Sequence, residues 1–227
     1  MYTRYALFYT PPKGALEAFG RSWLGWCSRD ACEVTGAGPK TERPSKYGVH
    51  ATLVAPFALA GGTCAQDILD AARVFAANAA PVSAVDGLHL SQQHGFFALR
   101  PRGDAPDLMD FAASCVRSFH ALRAAPDDAE LARRRRARLS PSQEAHLMRW
   151  GYPYVMADFQ FHITLTGRIK KDADEAAAQI ETRMRGVPLV PFAVDGVTVM
   201  GERADGRFVQ LERFALSASS ATDSAPA

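Results

Sequence analysis

An α+β fold built from two similar lobes is the class this sequence predicts, and three observations carry it. The composition is that of a packed globular chain: 227 residues, 48% hydrophobic, 10% aromatic and 22% charged. Short strand-like runs alternate with amphipathic helical stretches along the whole length. The pattern also repeats. His50-Ala51-Thr52-Leu53 returns as His162-Ile163-Thr164-Leu165, Ala84-Val85-Asp86-Gly87 returns as Ala193-Val194-Asp195-Gly196, and Phe96 and Leu99 align with Phe208 and Leu211, all at offsets of 109 to 112 residues. One matching tetrapeptide is chance; three in order indicate a duplication. The repeats fall at about 46–102 and 158–214 inside a single domain of residues 1–216, related by an approximate two-fold axis. Residues 217–227, mostly Ser and Ala, are expected to be disordered.

The elements follow in chain order. Arg4–Tyr9 is apolar and aromatic and ends at Pro11-Pro12, as a strand before a turn does. Leu16, Phe19, Trp23 and Trp26 recur at helical spacing, and a Gly- and Pro-rich loop runs from Val34 to Ser45. Lys46–Val54 reads as a strand stopped by Pro56. Thr63 with Gln66 predicts a capping box for the helix that carries Ile68, Leu69, Ala72, Phe75 and Ala76. Strands are expected at Val82–Leu90 and Phe96–Arg100, then a helix marked by Leu108, Phe111, Cys115 and Phe119. Pro126-Asp127-Asp128 opens a charged helix containing Arg133–Arg136. Ser140-Pro141-Ser142-Gln143 caps another, closed by Gly151 and Pro153. A strand at Phe159–Gly167, a helix capped by Asp172 with Glu175, and strands at Val187–Met200 and Phe208–Leu216 complete the chain.

Composition excludes several classes. Lys+Arg 26 against Asp+Glu 24 leaves a formal charge of +2, too little for a global field that steers onto nucleic acid. No apolar run approaches the ~18 residues of a membrane span, and the start lacks the form of a secretory signal. Cys27, Cys32, Cys64 and Cys115 form no CxxC pair and read as thiols of a reducing compartment, so a cytoplasmic location is expected.

Side chains alternate along a strand, so His50 and Thr52 share one face and His162 and Thr164 share another, with Ala51, Leu53, Ile163 and Leu165 turned into a core. If the lobes bring these faces together, two imidazoles and two hydroxyls meet. That set suits in-line displacement at phosphorus: one neutral imidazole accepts a proton from the nucleophile, the opposite imidazolium donates one to the leaving oxygen, and the hydroxyls hold phosphate oxygens. A single strand histidine is more often structural; two matched ones in a repeat reverse those odds. His89, His94, His120 and His146 have no such partner and receive no role. No cofactor and no metal are expected, since Asp158 could ligate beside His162 but its counterpart beside His50 is Lys46.

With both His-x-Thr motifs and the flanking blocks Arg4-Tyr5-Ala6, Phe19–Gly25, Lys46–Val49, Gly151–Val155 and Thr166-Gly167-Arg168, the chain resembles the 2H phosphoesterase superfamily, and within it a bacterial subfamily linked to phosphonate breakdown. The resemblance spans nearly the whole chain except the tail. It implies a bilobal pseudo-two-fold fold, with an antiparallel sheet in each lobe, helices outside and the active site in the cleft. It also implies metal-independent opening of cyclic phosphodiesters or 2′-linked phosphoesters, with His50, Thr52, His162 and Thr164 catalytic. Val54 stands where the subfamily often has Lys and Gln160 where it often has Arg, so the groove is expected to be less positive.

Four further residues are candidate substrate ligands. Lys46 shares the His50 face if its strand extends that far, and is either a phosphate cation or a solvated strand end. Thr166 and Arg168 continue the His162 face and are placed for a second anionic group. Tyr154 lies on a loop that either folds over the groove or packs on the core. The four-arginine run reads as a solvated face, because Glu130 pairs with Arg134 at helical spacing. The expected partner is a small phosphorylated or cyclic-phosphate substrate, with a ribose cyclic phosphate from phosphonate degradation as the candidate. RNA, whether a cyclic-phosphate end to be processed or a ligand for a non-catalytic groove, is less favoured. No membrane is expected, and a monomer is preferred.

Overall fold

Apolar runs punctuated by Pro and Gly set the element order in a computed structural model, which describes residues 2–218. The chain runs β1 (Tyr5–Tyr9), α1 (Ala15–Leu24), β2 (Trp26–Cys27), β3 (Cys32–Glu33), β4 (Ala51–Phe57), α2 (Ala65–Asn78), β5 (Val82–Ala84), β6 (Leu88–Gln93) and β7 (Phe96–Pro101). It continues through α3 (Pro106–Phe119), α4 (Asp128–Arg135), α5 (Pro141–Trp150), β8 (Ile163–Thr164), α6 (Ala173–Arg183), β9 (Phe192–Val194), β10 (Gly196–Glu202) and β11 (Phe208–Ala215). Short 3₁₀ turns lie at Pro44–Tyr47, His120–Leu122 and Met156–Asp158.

The class is α+β with antiparallel sheets. Seven strands form one sheet in the order β11-β10-β1-β4-β8-β7-β6, every neighbouring pair antiparallel, and β2–β3 and β5–β9 form two small ribbons. The expected separate sheet in each lobe is therefore replaced by a continuous one. Its two wings join where Ala51 of β4 pairs with Ile163 of β8. Outward from that junction stand β4, β1 and β10 on one side and β8, β7 and β6 on the other, with β11 outside β10. The two strands that follow an Ala-Val-Asp-Gly run, β6 and β10, are thus both third from the junction. The Phe96 and Phe208 strands do not hold matching places: β7 lies beside β8, β11 lies at the outer edge, and β1 occupies the position beside β4.

Several boundaries differ from expectation for local reasons. The strand predicted from Lys46 begins only at Ala51, because Pro44–Tyr47 coils into a 3₁₀ turn and Gly48 leaves it at φ 72, in the left-handed region. At the other end β4 runs through Pro56 to Phe57, tolerated where a bulge interrupts its pairing with β1. Opposite Leu7 and Phe8 stand Val54 and Thr52, so an extra residue is inserted and Val54 turns into the main core. The α2 cap is one residue later than predicted: Cys64, not Thr63, is the N-cap, with Asp67 closing the box. Asp172 sits at φ 60 and makes no side-chain cap to α6. Val82–Leu90 splits into β5 and β6 at Gly87, and Phe159–Gly167 contributes only the two residues of β8. Ser140 with Gln143 caps α5 as expected, and Asp127 caps α4 through Glu130 N–H. Of the predicted tail, Ser217 and Ala218 donate backbone N–H groups to the α2 end at Ala76 and Ala79; residues 219–227 lie outside the described residues.

One face of the sheet carries the large core, in which Leu7, Leu53, Phe57, Leu99, Ile163 and Val199 are buried. Helix α1 braces both histidine segments. Gly20 packs on Val49 so closely that a Cβ would run into the Val49 side chain, and the buried Trp23 indole donates to the Leu165 carbonyl at 2.8 Å. The opposite face has a smaller cluster of Ala6, Phe8, Met200 and Phe208, with Tyr47 packed against it. Trp23→Phe removes the indole donor and strands a buried carbonyl while opening a void. Urea denaturation is expected to show a loss of about 2–4 kcal/mol.

Candidate active site

The register at the sheet junction dictates the site. Ala51 and Ile163 are opposed, so continuing one residue each way sets His50 across from Thr164 and Thr52 across from His162. Directly opposed residues share a face, and Ala51 and Ile163 turn into the core, so these four side chains occupy the other face. The result is a crossed quartet: each imidazole has a hydroxyl from the other strand beside it, and the imidazoles sit on a diagonal, ~7–8 Å apart between Cα atoms. All four are partly exposed, and neither threonine hydroxyl bonds another protein group among the described residues.

The two rings are held alike. His50 Nδ1 lies 2.8 Å from the Gly48 carbonyl, and His162 Nδ1 lies 2.8 Å from the Gln160 carbonyl, each two residues back. A carbonyl only accepts, so both rings carry the proton on Nδ1. Nε2 of each neutral ring is left as the free base. These bonds come from two-residue local loops, which explains why both histidines lie just before their strands.

Their surroundings differ. His50 stacks on Phe8 at 4.2 Å between ring centroids and lies 5.4 Å from Tyr47. Desolvation there pushes its pKa down to about 4, the Gly48 carbonyl opposing and His162 adding to the fall. His162 lies 6.0 Å from Phe96, and its pKa is also lowered, first by burial, against the Gln160 carbonyl, and then by the positive charge of Arg100. Both imidazoles are thus biased toward the neutral form in the free protein.

The remaining expected ligands fare differently. Lys46 is exposed on the 3₁₀ turn, not on a strand in line with His50. Thr166 is only 1% exposed, and its hydroxyl accepts the Phe97 N–H at 3.0 Å, which gives it to the sheet and not to a ligand. Arg168 is exposed beyond β8. Tyr154 is exposed and makes an edge contact with Tyr152 at 5.7 Å. Val54 is core, and Gln160 serves through its backbone carbonyl. The arginine run is mostly the solvated face expected: Arg133, Arg135 and Arg136 are exposed, Arg133 lying 3.4 Å from Glu130 and Arg135 2.6 Å from Glu144 of α5, while Arg134 is partly buried, stacked 4.7 Å over Tyr152 and paired with Glu130 at 3.2 Å.

Sequence reasoning missed Arg100. Leu99 opposes Ile163, so Arg100 stands across from His162 on the same face. The alternation Phe96, Ala98, Arg100 beside Phe97 and Leu99 was the available signal. Among the described residues no three His, Cys, Asp or Glu side chains gather as a metal set, and no helix is long and apolar enough to cross a membrane.

The depressed His50 pKa carries a stability consequence. Between about 6.5 and about 4 the unfolded chain binds a proton at this residue that the folded chain refuses, so stability falls as pH drops through that window. His50→Asn is expected to lose less stability than the wild type between pH 7.5 and 4.5 in urea melts, and equal losses would place the His50 pKa near its ordinary value.

Comparison with known proteins gives the chain a family. A protein named ribose 1,5-bisphosphate phosphokinase PhnN from Janthinobacterium sp. (strain Marseille) is 37% identical over 234 residues, covering 95% of this chain and 51% of its own length. One of the same name from Laribacter hongkongensis (strain HLHK9) is 31% identical over 221 residues, covering 92% and 51%. The chain thus spans about half the length of the curated relatives it matches. Among solved structures, TT0787 of Thermus thermophilus aligns over 94% of this chain and 97% of its own, at 16% identity and a TM-score of 0.45. The model of a protein family of unknown function, DUF1045, matches residues 52–209, and the chain belongs to that family.

Proposed function

We propose that this chain is a 2H-type phosphoesterase that opens a small cyclic phosphate without a metal, and that the crossed His–Thr quartet carries the chemistry. The supporting observation is the matched pair of imidazoles, each fixed through Nδ1 to a carbonyl two residues back and each beside a threonine of the other strand. Nε2 of one neutral ring accepts a proton from attacking water as oxygen bonds to phosphorus. The other ring, protonated, gives its proton to the ring oxygen as that P–O bond breaks. A phosphomonoester results, and the two imidazoles exchange protonation states. Thr52 and Thr164 donate their hydroxyls to the non-bridging oxygens.

The sheet supports a duplicated, pseudo-two-fold architecture for this function. The units that best explain the strand order are β1-α1-β4-α2-β5-β6 and β7-α3-β8-α6-β9-β10, with β11 appended. On that reading β1 and β7 are counterparts, and each flanks a His-x-Thr strand.

The relatives' name joins a phosphorylated ribose to the substrate question, and a ribose cyclic phosphate arising in phosphonate breakdown is the candidate that fits it. The name is also that of a phosphotransferase. None of the five lysines in this chain follows a glycine, so the Gly-Lys-Ser/Thr end of a P-loop is not present in it. The kinase activity is accordingly read as belonging to the half of those relatives that this chain does not match.

Turnover of a cyclic ribose phosphate in EDTA is expected, measured against nucleoside 2′,3′-cyclic phosphates and cyclic-ended RNA. Loss in EDTA with recovery on adding one metal contradicts the mechanism. His50→Ala and His162→Ala are each expected to lower kcat at least ~10²-fold, and the double variant to cost much less than the product of the two. Thr52→Val and Thr164→Val are expected to cost about 1–3 kcal/mol each in transition-state stabilisation.

Because both imidazole pKa values are lowered in the free protein, kcat/KM is expected to peak on the acid side of 6.5. In kcat the peak moves to higher pH, since bound phosphate stabilises an imidazolium. The limbs belong to the coupled pair and not to one residue.

A further inference from the structure

The β2–β3 ribbon sets two thiols face to face. Cys27 is opposed to Cys32 in its register, and the turn from Ser28 to Ala31 joins them. Directly opposed residues share a face, with Cα atoms ~4.5–5.5 Å apart. A disulfide takes ~4.4–6.8 Å between Cα atoms, so the backbone already has the span of a bridge. Both are free thiols in unlike settings. Cys27 is 2% exposed and donates its S–H to Asp30 Oδ2 at 3.1 Å, and burial pushes its pKa up, so it stays protonated. Cys32 is exposed. The other two cysteines belong to helices and not to a ladder: Cys64 caps α2, and Cys115 is enclosed in α3.

The ribbon also bears on the histidine face. Trp26 donates its indole N–H to the Phe208 carbonyl at 3.1 Å, and the Ser28 carbonyl accepts the Gln210 N–H at 2.8 Å, which fastens the ribbon to β11. Phe208 stacks on Tyr47 at 5.0 Å, and Tyr47 lies against His50. Ser28, next to Cys27, is pressed on Gly48: a Cβ at Gly48 would stand 2.8 Å from the Ser28 Oγ. Gly48 in turn supplies the carbonyl that fixes His50 Nδ1. Cys27, Ser28, Gly48 and His50 are therefore successive contacts. Closing a bridge draws the Cys27 sulfur from Asp30 toward Cys32, and Ser28 moves with it.

We propose that Cys27 and Cys32 form a reversible redox site, in which a hydroperoxide oxidises Cys32 and the Cys27 thiol closes a disulfide that shifts the Gly48 support of His50. The Cys32 sulfur attacks the peroxide; an S–O bond forms, the O–O bond breaks, and a sulfenic acid and an alcohol result, or water from hydrogen peroxide. The Cys27 sulfur then attacks the sulfenic sulfur. The S–S bond forms, the S–O bond breaks, and hydroxide leaves as water with the Cys27 proton, passed by way of Asp30. Two thiols give up two electrons, and the peroxide takes them. A dithiol reverses the bridge by exchange. Such a bridge is compatible with the reducing compartment expected from the cysteine usage, where protein disulfides are transient and redox-sensing. Its effect on turnover rests on the phosphoesterase reading; the bridge and its effect on His50 do not.

Trypsin separates the two cysteines at Arg29, so the bridge is read directly. After stoichiometric hydrogen peroxide and alkylation of the remaining thiols, peptides 22–29 and 30–40 are expected to be joined, in a protein that runs as one chain on a non-reducing gel, and to part in dithiothreitol. In ¹H–¹⁵N spectra the His50 imidazole is expected to shift on oxidation and return on reduction, and Cys32→Ser to show neither bridge nor shift. Cys27→Ser is expected to stop at a Cys32 sulfenic acid, trapped by dimedone. Oxidation is expected to lower kcat/KM for a cyclic phosphate at least ~10-fold, reversibly in the wild type and not in Cys32→Ser. Peptides that stay separate, a Cys27→Ser protein that traps no dimedone, or a bridge that leaves His50 or an observed turnover unchanged overturns the proposal. A bridge that moves His50 in a protein without turnover sustains the redox site and overturns only the phosphoesterase reading.

Discussion

The pairing of Ala51 with Ile163 is the constraint from which the site follows. It joins the two wings of the sheet and places each histidine beside the other strand's threonine. Strand periodicity makes this register all-or-none: a slip of one residue in either strand would turn that strand's core residue, Ala51 or Ile163, outward and bury its own imidazole. Because β8 is only two residues long, other bonds secure it. Leu165 and Thr166 donate backbone N–H groups to the Phe97 carbonyl, the Thr166 hydroxyl accepts from Phe97, and Trp23 takes the Leu165 carbonyl from the core side. Gly20 against Val49 ties the first histidine segment to the same helix. One helix thus positions both halves of the quartet.

Electrostatics divide the face into two unlike halves. Phe8 and Tyr47 stand against His50, and desolvation there favours its neutral form. On the other side Arg100 adds positive charge beside His162 and resists a second proton there. Both imidazoles are thus biased toward the neutral form, beside a guanidinium that has no ion pair among the described residues. A phosphate anion bound as the proposed mechanism requires would stabilise an imidazolium. On the proposed mechanism, charging of the acid would be coupled in this way to arrival of the substrate.

Residues with a periodic or paired signal were legible in the sequence. Apolar alternation and helix caps gave the α+β class, and Ser140 with Gln143 and Gly151 bounded α5 as written. The two His-x-Thr segments gave all four members of the quartet. What sequence could not supply was the junction itself: nothing in either motif says that β4 and β8 pair directly, so a sheet for each lobe was the natural expectation. Lys46 and Thr166 failed for backbone reasons, a 3₁₀ turn at Pro44 and a bond from Phe97, neither of which alternation registers. Val54 failed because an inserted residue opposite Leu7 reversed its face. Arg100 belongs to no motif, and its place beside His162 depends on β7 lying beside β8, a contact between residues far apart in the chain.

The central claim is that His50 and His162 act on one phosphorus. Long-range ¹H–¹⁵N spectra of the imidazoles during titration with vanadate, which adopts the five-coordinate geometry of in-line displacement, test it directly. Nε2 of both rings is expected to shift together and saturate at one vanadate per chain, with Nδ1 of both remaining protonated. A shift confined to one ring, or saturation of the two at different vanadate concentrations, would contradict a shared phosphorus between the two histidines.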